Sequence, residues 1–479
     1  MAKELVNLVL DYLKTLNVSY GDVRLVRIQE EVIRQENGKV NLIRQEEDLG
    51  IGIRVIKNGA WGFAATALLT KEEVMKTAKL ACEIAEASAR LKREDTKICE
   101  IMPVKDTYQT PIEIDPFSVS LEEKINLLME CDEIMKKVKG IRKRESELYF
   151  YKKYQIFAST EDSFIEQTIY HTGGYISAEA VKGTVTGSRS YPGMIGGHYK
   201  AKGYEFIKEL KLKENCERVA EEAVALTKAR ECPNMETDII LDGTMVAIQV
   251  HETVGHPTEL DRVLGTEVSL AGTSHLTIDK LNKFQFASEI VSITADATIP
   301  GGLGTFGYDD EGVKAQKVFL IKDGIFFGYL TSRETAVVLN QKSNGTMRAD
   351  SWKSIPLIRM TNINLLPGTW ELEDLFADTK EGVYFESAGA PSIDDKRLNY
   401  HISSEIGWII KNGKKTEMIR RPSFSAISYE LWRKCDAICN EKYWEVWGVP
   451  NCGKGDPTQV MHVGHGASPA RFRKVKIGG

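Results

Sequence analysis

"GDVRLVRIQEEVIRQENGKVNLIRQEEDLGIGIRVIKNGAWGFAAT", residues 21–66, alternates apolar and polar side chains in short runs broken by "ENGK" and "KNGA". Period-two alternation puts one face of a strand inward, and the Asn-Gly pairs favour tight hairpin turns, so the stretch predicts antiparallel strands. Upstream, "MAKELVNLVLDYLKTLN" carries apolar residues at 5, 6, 8, 9, 10, 13 and 16, an amphipathic surface helix. Downstream, helical spacing resumes from Lys71 through Ala87 behind Thr70 as N-cap.

Beyond these lie a proline-bearing, aperiodic connector (96–116), a second long helix in "SLEEKINLLMECDEIMKKVKG", and strands in "ELYFYKKYQIFAST". After "ENCERVAEEAVALTKARECP", helical up to Pro233, strands, glycines and turns dominate, with hairpins expected around "KDG" and "KNG". The expected fold class is therefore α+β. Residues 1–232 form an N-terminal mixed domain of antiparallel strands and long helices, and residues 233–479 form a β-rich domain. A chain of 479 residues is long enough for roughly two to four domains.

Composition narrows the classes of function. Apolar residues make up 42% and charged residues 27%, as in a soluble globular protein. A net charge of -5 supplies no field for nucleic acid or an anionic membrane. The dense basic run "RFRKVK" (471–476) reads as a solvated edge strand. No stretch reaches the roughly 18 apolar residues of a membrane span, and the N-terminus lacks a secretory cleavage site. The eight scattered cysteines, with no CxxC pair, suit a reducing, cytoplasmic setting.

The chemistry concentrates in "QVHETVGHPTELD" (249–261), which carries HExxxH rather than the zinc-helix pattern HExxH. In a regular α-helix, residues five apart point about 140° from each other and cannot share a metal. They return to one face if the helix widens into a π-bulge, or if it ends at Gly255. Gly255 relaxes the backbone and Pro257 disfavours helical geometry at His256. The expected metal helix thus carries His251 and His256 as ligands, with Glu252 positioned as a general base.

A third ligand must come from elsewhere. Cys452 in "GVPNCGKGDPTQVMHVGHGASP" is the strongest candidate, a thiolate donor in a glycine-rich segment, and His462 and His465 compete with it. Cys435 and Cys439 fall four apart on a helix expected in "SYELWRKCDAICNEKYWEV" and read as buried. "GTFGYDDEG" (304–312) reads as a turn between strands and as a candidate substrate loop.

Taken together, these blocks resemble the TldD/PmbA family of metallopeptidases, on its TldD side. "GIGIRVIKNGAWGFAAT" resembles an N-terminal signature, "HETVGHPTELD" the HExxxH motif with a following acid pair, and "CGKG" with "VGHGASP" the C-terminal block. The resemblance implies Zn2+ held by His251, His256 and Cys452, with Glu252 as the catalytic base. Glu259 and Asp261 are candidates to steady the ligands from behind. It also implies a peptide or unfolded polypeptide as substrate, admitted to an enclosed cavity, and a dimer formed with itself or with a PmbA-like chain. The chain departs from the family pattern at "AGAPSID" (388–394) and at Ile358 before Arg359, which bears on the substrate cleft. Two other readings stay open: a peptide-binding or assembly subunit with a structural zinc, and a metal amidohydrolase for small molecules.

Overall fold

The computed structural model describes residues 2–193, 196–269 and 272–478. The alternating runs at the N-terminus form three antiparallel strands, β1 (Tyr20–Glu36), β2 (Lys39–Lys57) and β3 (Ala60–Thr66). Asn37-Gly38 and Asn58-Gly59 turn them with positive φ at all four residues, the backbone that two-residue hairpins require. The strands β4 (Lys105–Gln109), β5 (Ile141–Ser159), β6 (Phe164–Lys182), β7 (Val185–Tyr191) and β8 (His198–Lys200) complete an eight-stranded sheet. Its order is β3-β2-β1-β5-β6-β4, with β7 and β8 also pairing β6.

Helices cover the sheet where the apolar spacing predicts them. Ala2–Thr15 buries Leu5, Val6, Val9, Leu10 and Leu13. Lys71–Ala89 starts at Thr70, whose hydroxyl accepts the amide of Glu73. This helix lies so close to β3 that a Cβ on Gly62 would stand 2.0 Å from the carbonyl oxygen of Ala81. Leu121–Lys136 and Leu212–Leu226 pack on the other part of the sheet. The connector is more ordered than its sequence suggests, since its residues 105–109 pair with β6 in parallel.

From Arg230 onward a nine-stranded mixed sheet dominates, in the order 381–388, 235–241, 470–477, 423–427, 399–411, 414–420 and 230–231 along its main path. The hairpins expected at "KDG" and "KNG" are present as Lys317–Lys322 with Ile325–Phe326 and Asn399–Lys411 with Lys414–Arg420. A separate two-stranded hairpin, Glu445–Lys454 with Gln459–Ala467, lies close to the buried helix Gly243–Val250. All eight residues of that helix are buried, which accounts for its having almost no polar face.

Two expectations are corrected here. "RFRKVK" is no edge strand: Ala470–Ile477 lies inside the sheet, between Met235–Leu241 on one side and Ser423–Ile427 and Cys435–Ile438 on the other. Its charge is tolerated because Arg471, 2% exposed, donates both Nε and Nη2 to Asp436 and Nη1 to Asp378. The helix expected through Cys435 and Cys439 stops at Arg433, and Cys435–Ile438 pairs with residues 470–472 as a strand. Strand partners distant in sequence override the helical spacing, although both cysteines are buried.

The two halves of the chain are locked by buried ions. The acids of the turn "GYDDEG" are buried and engaged. Asp310 accepts from Gln155 Nε2 and the Ala349 amide at 2.6 Å, and Glu311 accepts from Arg54 Nη1 at 3.2 Å and the Arg333 amide at 2.7 Å. Arg54 also donates to Asp22 at 2.7 and 2.9 Å. Arg54, Asp22 and Glu311 are 0–2% exposed, so each depends on the others for the solvation it has lost. Arg54→Ala strands two carboxylates and is expected to cost about 3–5 kcal/mol of stability, measured by urea unfolding. A loss below about 1 kcal/mol would show that the carboxylates find other donors.

Candidate metal centre

Asp242 opens the buried helix by accepting the amide of Met245 at 2.8 Å. After the eight residues of this helix the hydrogen bonding widens, and the amide of His256 bonds the carbonyl of His251, five residues back, so that His251–Gly255 form one π turn. The wider turn returns the two imidazoles to one side, with ring centroids 4.9 Å apart and planes at 84°. Pro257 has no amide to continue the ladder, and a short 3-10 turn over His256–Thr258 leads to extended backbone at Glu259. The Thr258 hydroxyl donates to the carbonyls of Val254 and Gly255, satisfying groups that the change of helix type leaves over.

Gly255 is needed for a different reason from the one its sequence suggests. Its φ of -57° is ordinary helical backbone, but a Cβ there would stand 2.0 Å from Met360 Sδ. The glycine lets a packed methionine reach the turn.

Cys452 arrives from the separate hairpin, just past a register shift between Val449 and Cys452, and sits opposite Met461. Its Sγ lies 3.6 Å from His256 Nε2. One donor atom each from His251, His256 and Cys452 falls within 4.8 Å of the others, and all three residues are buried. Tetrahedral zinc holds neighbouring N and S donors about 3.5 Å apart, so the set is close to the span a zinc-sized ion requires.

The other atoms of these residues are held from behind. His256 Nδ1 pairs with Glu259 Oε2 at 3.1 Å, leaving Nε2 toward Cys452. Glu259 in turn accepts from Arg262 at 2.9 Å and faces Lys454 Nζ at 3.5 Å. Lys454 donates to both Asp261 oxygens and to the Ile358 carbonyl, each at 2.8 Å. The departure at Ile358 therefore leaves this contact intact, because only its backbone oxygen is used. Burial alone would raise the Glu259 pKa, but Lys454, His256 and Arg262 outweigh it and hold the carboxylate well below its usual range.

The electrostatics suit a cation. Burial lowers the pKa of His251, favouring the neutral imidazole that can donate a lone pair. Burial opposes ionisation of the Cys452 thiol, but His256 and the Arg359 guanidinium outweigh it, so the pKa lies below that of a free thiol. Glu252 follows the same logic: burial raises its pKa, while His251, His256 and Arg397 bring it below the usual value. Arg397 Nη1 donates to Glu252 Oε2 at 2.8 Å.

His462 and His465 part company. They are three apart on a strand and so face opposite sides. His465 Nε2 lies 2.7 Å from His251 Nδ1, whereas His462 Nδ1 lies 2.7 Å from His171 Nδ1 on the first sheet. Arg397, Lys454, Arg262 and Arg359 are neighbours of the centre that residue spacing did not single out. Arg397 stands three residues after "AGAPSID", so that segment leads directly to the Glu252 carboxylate. Lys454 shares a strand face with Cys452 by period two, a signal obscured by the glycines around it.

Comparison with known proteins bears on all of this. The family model described as PmbA/TldA metallopeptidase C-terminal domain matches residues 234–479, domain 1 matches 21–85, and the central domain matches 114–231. A metalloprotease of Methanocaldococcus jannaschii is 30% identical over 94% of this chain and 95% of its own length. A protein named zinc metalloprotease TldD homolog, from Saccharolobus solfataricus, is 27% identical over 97% of both. Among solved structures, TldE from Thermococcus kodakarensis is similar with a TM-score of 0.73 at 18% identity, and a Thermotoga maritima protein described as a candidate modulator of a DNA gyrase with 0.80 at 18%. Both pairs are covered in full, and both show likeness of fold. With three domain models matching along its length and a relative 30% identical over 94% of it, the chain belongs to the PmbA/TldD metallopeptidase family.

Proposed function

We propose that the protein is a zinc-dependent peptidase acting on short or unfolded polypeptides, with His251, His256 and Cys452 as metal ligands and Glu252 as base. The observation that carries this reading is the convergence of two imidazoles and a thiol within 4.8 Å, with Glu252 next to the first of them in the chain. Two nitrogens and a sulfur suit zinc better than the hard oxygen-seeking cations. Bound there, zinc would supply Lewis acidity toward a scissile carbonyl and an attacking water.

The chain's own residues account for the remaining chemistry. Glu252, kept ionised, accepts the proton of the attacking water and returns it to the leaving amine. Arg397 fixes the carboxylate while leaving its second oxygen for that exchange. Glu259 holds the His256 ring with Nδ1 engaged, which presents Nε2 as the donor, and His465 does the same for His251 from the hairpin.

A structural zinc in a binding subunit would need a fourth protein donor closing the shell, and His465 is the residue near enough to raise the question. Its contact is with His251 Nδ1, which supports a supporting role over ligation. We further propose a dimer with a second copy or a PmbA-like chain, a reading supported by likeness to TldE. Eight unpaired cysteines support a cytoplasmic setting, and among the described residues no helix is long and apolar enough to cross a membrane.

Two measurements test the assignment. Glu252→Gln is expected to lower cleavage of an unstructured peptide by at least about 100-fold while zinc content stays near one per chain. Undiminished cleavage would remove Glu252 from the mechanism. Glu259→Gln is expected to weaken zinc affinity by about 10–100-fold, read by competition with a chromogenic chelator. Unchanged affinity would mean that His256 is not a ligand held through its Nδ1.

A further inference from the structure

Between the first sheet and the C-terminal half lies a cavity of about 620 Å³. None of the residues proposed to hold or serve the metal lines it. The hairpin 445–467 stands between the two places, with Cys452 and His465 directed toward the metal centre and His462 toward the cavity.

The cavity wall holds cations whose lost hydration is poorly replaced. Lys153 is 13% exposed in its side chain, and its nearest acid is Asp310 Oδ1 at 3.9 Å, beyond hydrogen-bond length. Asp310 is meanwhile taken by Gln155 and the Ala349 amide. Arg348 is 9% exposed, and the only hydrogen bonds of its guanidinium among the described residues run from Nη1 to the carbonyls of Met360 and His462, at 2.8 Å each. Its guanidinium lies over the Phe306 ring, 5.3 Å from the centroid. Burial lowers the pKa of both groups, that of Arg348 to about 10, and they repel each other. Asp310 offsets part of the cost of burying these charges, and an anion supplied from outside would offset more of it.

The neighbouring acids are already committed. Glu30 accepts from the Tyr149 hydroxyl at 3.1 Å and from Arg44, Glu147 is bound by Arg34, Asp309 accepts the amides of Glu311, Val313 and Met347, and Asp350 accepts from the Ser354 hydroxyl and the Val460 amide. The histidines offer no further charge, because burial keeps both neutral and takes His462 down to about 3. Their protons can be ordered. Tyr149 donates to Glu30 and accepts from His462 Nε2 at 3.3 Å, so His462 Nδ1 must accept from His171 Nδ1. His171 Nε2 is left as a lone pair with no partner among the described residues. Tyrosines 149, 151, 175, 199 and 308 and the apolar Ile28, Val32 and Phe306 complete walls suited to an organic ligand rather than to a bare ion.

We propose that this cavity is a second ligand site, taking a small organic acid through its carboxylate, such as the C-terminal end of a short peptide or an N-acylated aromatic amino acid, with Lys153 and Arg348 as the carboxylate's partners. The inference stands apart from the peptidase reading, because it concerns binding and needs no turnover.

The test is titration calorimetry on the zinc-loaded full chain with N-acetyl-tyrosine, N-acetyl-tyrosinamide and inorganic phosphate. The acid is expected to bind at least about tenfold more tightly than the amide, the effect of one charge-assisted contact. Lys153→Met should abolish that preference, Lys153→Arg should retain it, and His251→Ala should leave it unchanged. Equal affinity for acid and amide, no heat from the acid, or phosphate binding as tightly as the acid would overturn the proposal. So would a preference lost in His251→Ala and kept in Lys153→Met, which would move the acid to the metal centre. Repeating the comparison of acid with amide on the unaltered protein after zinc removal decides the matter even if a variant fails to fold, because a preference that disappears with the metal would overturn the proposal.

Discussion

One backbone hydrogen bond, from the His256 amide to the His251 carbonyl, sets the geometry that the metal centre depends on. A regular ladder would send the second imidazole about 140° around the helix, where no side-chain rotamer could recover it. The wider turn is the less favourable form of helix, and here it is surrounded by compensation. Thr258 satisfies the carbonyls it frees, Met360 fills the space beside Gly255, and Trp432 Nε1 bonds the Thr253 hydroxyl at 2.8 Å. The irregularity is therefore built into the core rather than left at a flexible surface.

Around that turn the chain uses buried charge in place of a purely apolar interior. Glu259, Arg262 and Lys454 are fully buried and Asp261 is 7% exposed, each held by at least one other. Such clusters contribute little net stability when complete and become very costly when one member is missing. They fix direction instead: a packed hydrocarbon could fill the volume behind His256, but it could not fix which ring nitrogen faces the thiol.

Local features of the sequence proved legible. The Asn-Gly turns, the Thr70 cap, the apolar helix faces and the five-residue histidine spacing all depend on neighbours within a few positions, and all appear at the expected places. Readings that failed depended on partners far along the chain. Arg471 looks solvated until Asp378 and Asp436 are brought beside it, and the Cys435 segment looks helical until residues 470–472 offer it a strand edge. Lys454 and Arg397 belong to the same class, for nothing adjacent marks Lys454 as a partner of Glu259 and Asp261 or Arg397 as a partner of Glu252. The opposite facing of His462 and His465 was within reach, since a spacing of three on a strand settles it once the strand is recognised.

The hairpin that separates the metal centre from the cavity also limits how this protein can change its length. Its strand 459–467 shows a different chemical face to each side, and alternation means that inserting or deleting one residue between 462 and 465 would put the two histidines on one face. Either His462 would lose His171 or His465 would lose His251, since the two contacts need opposite faces. Drift in chain length can be absorbed in the turn at 455–458, so the tolerance of this segment to insertion should be sharply discontinuous along a few residues.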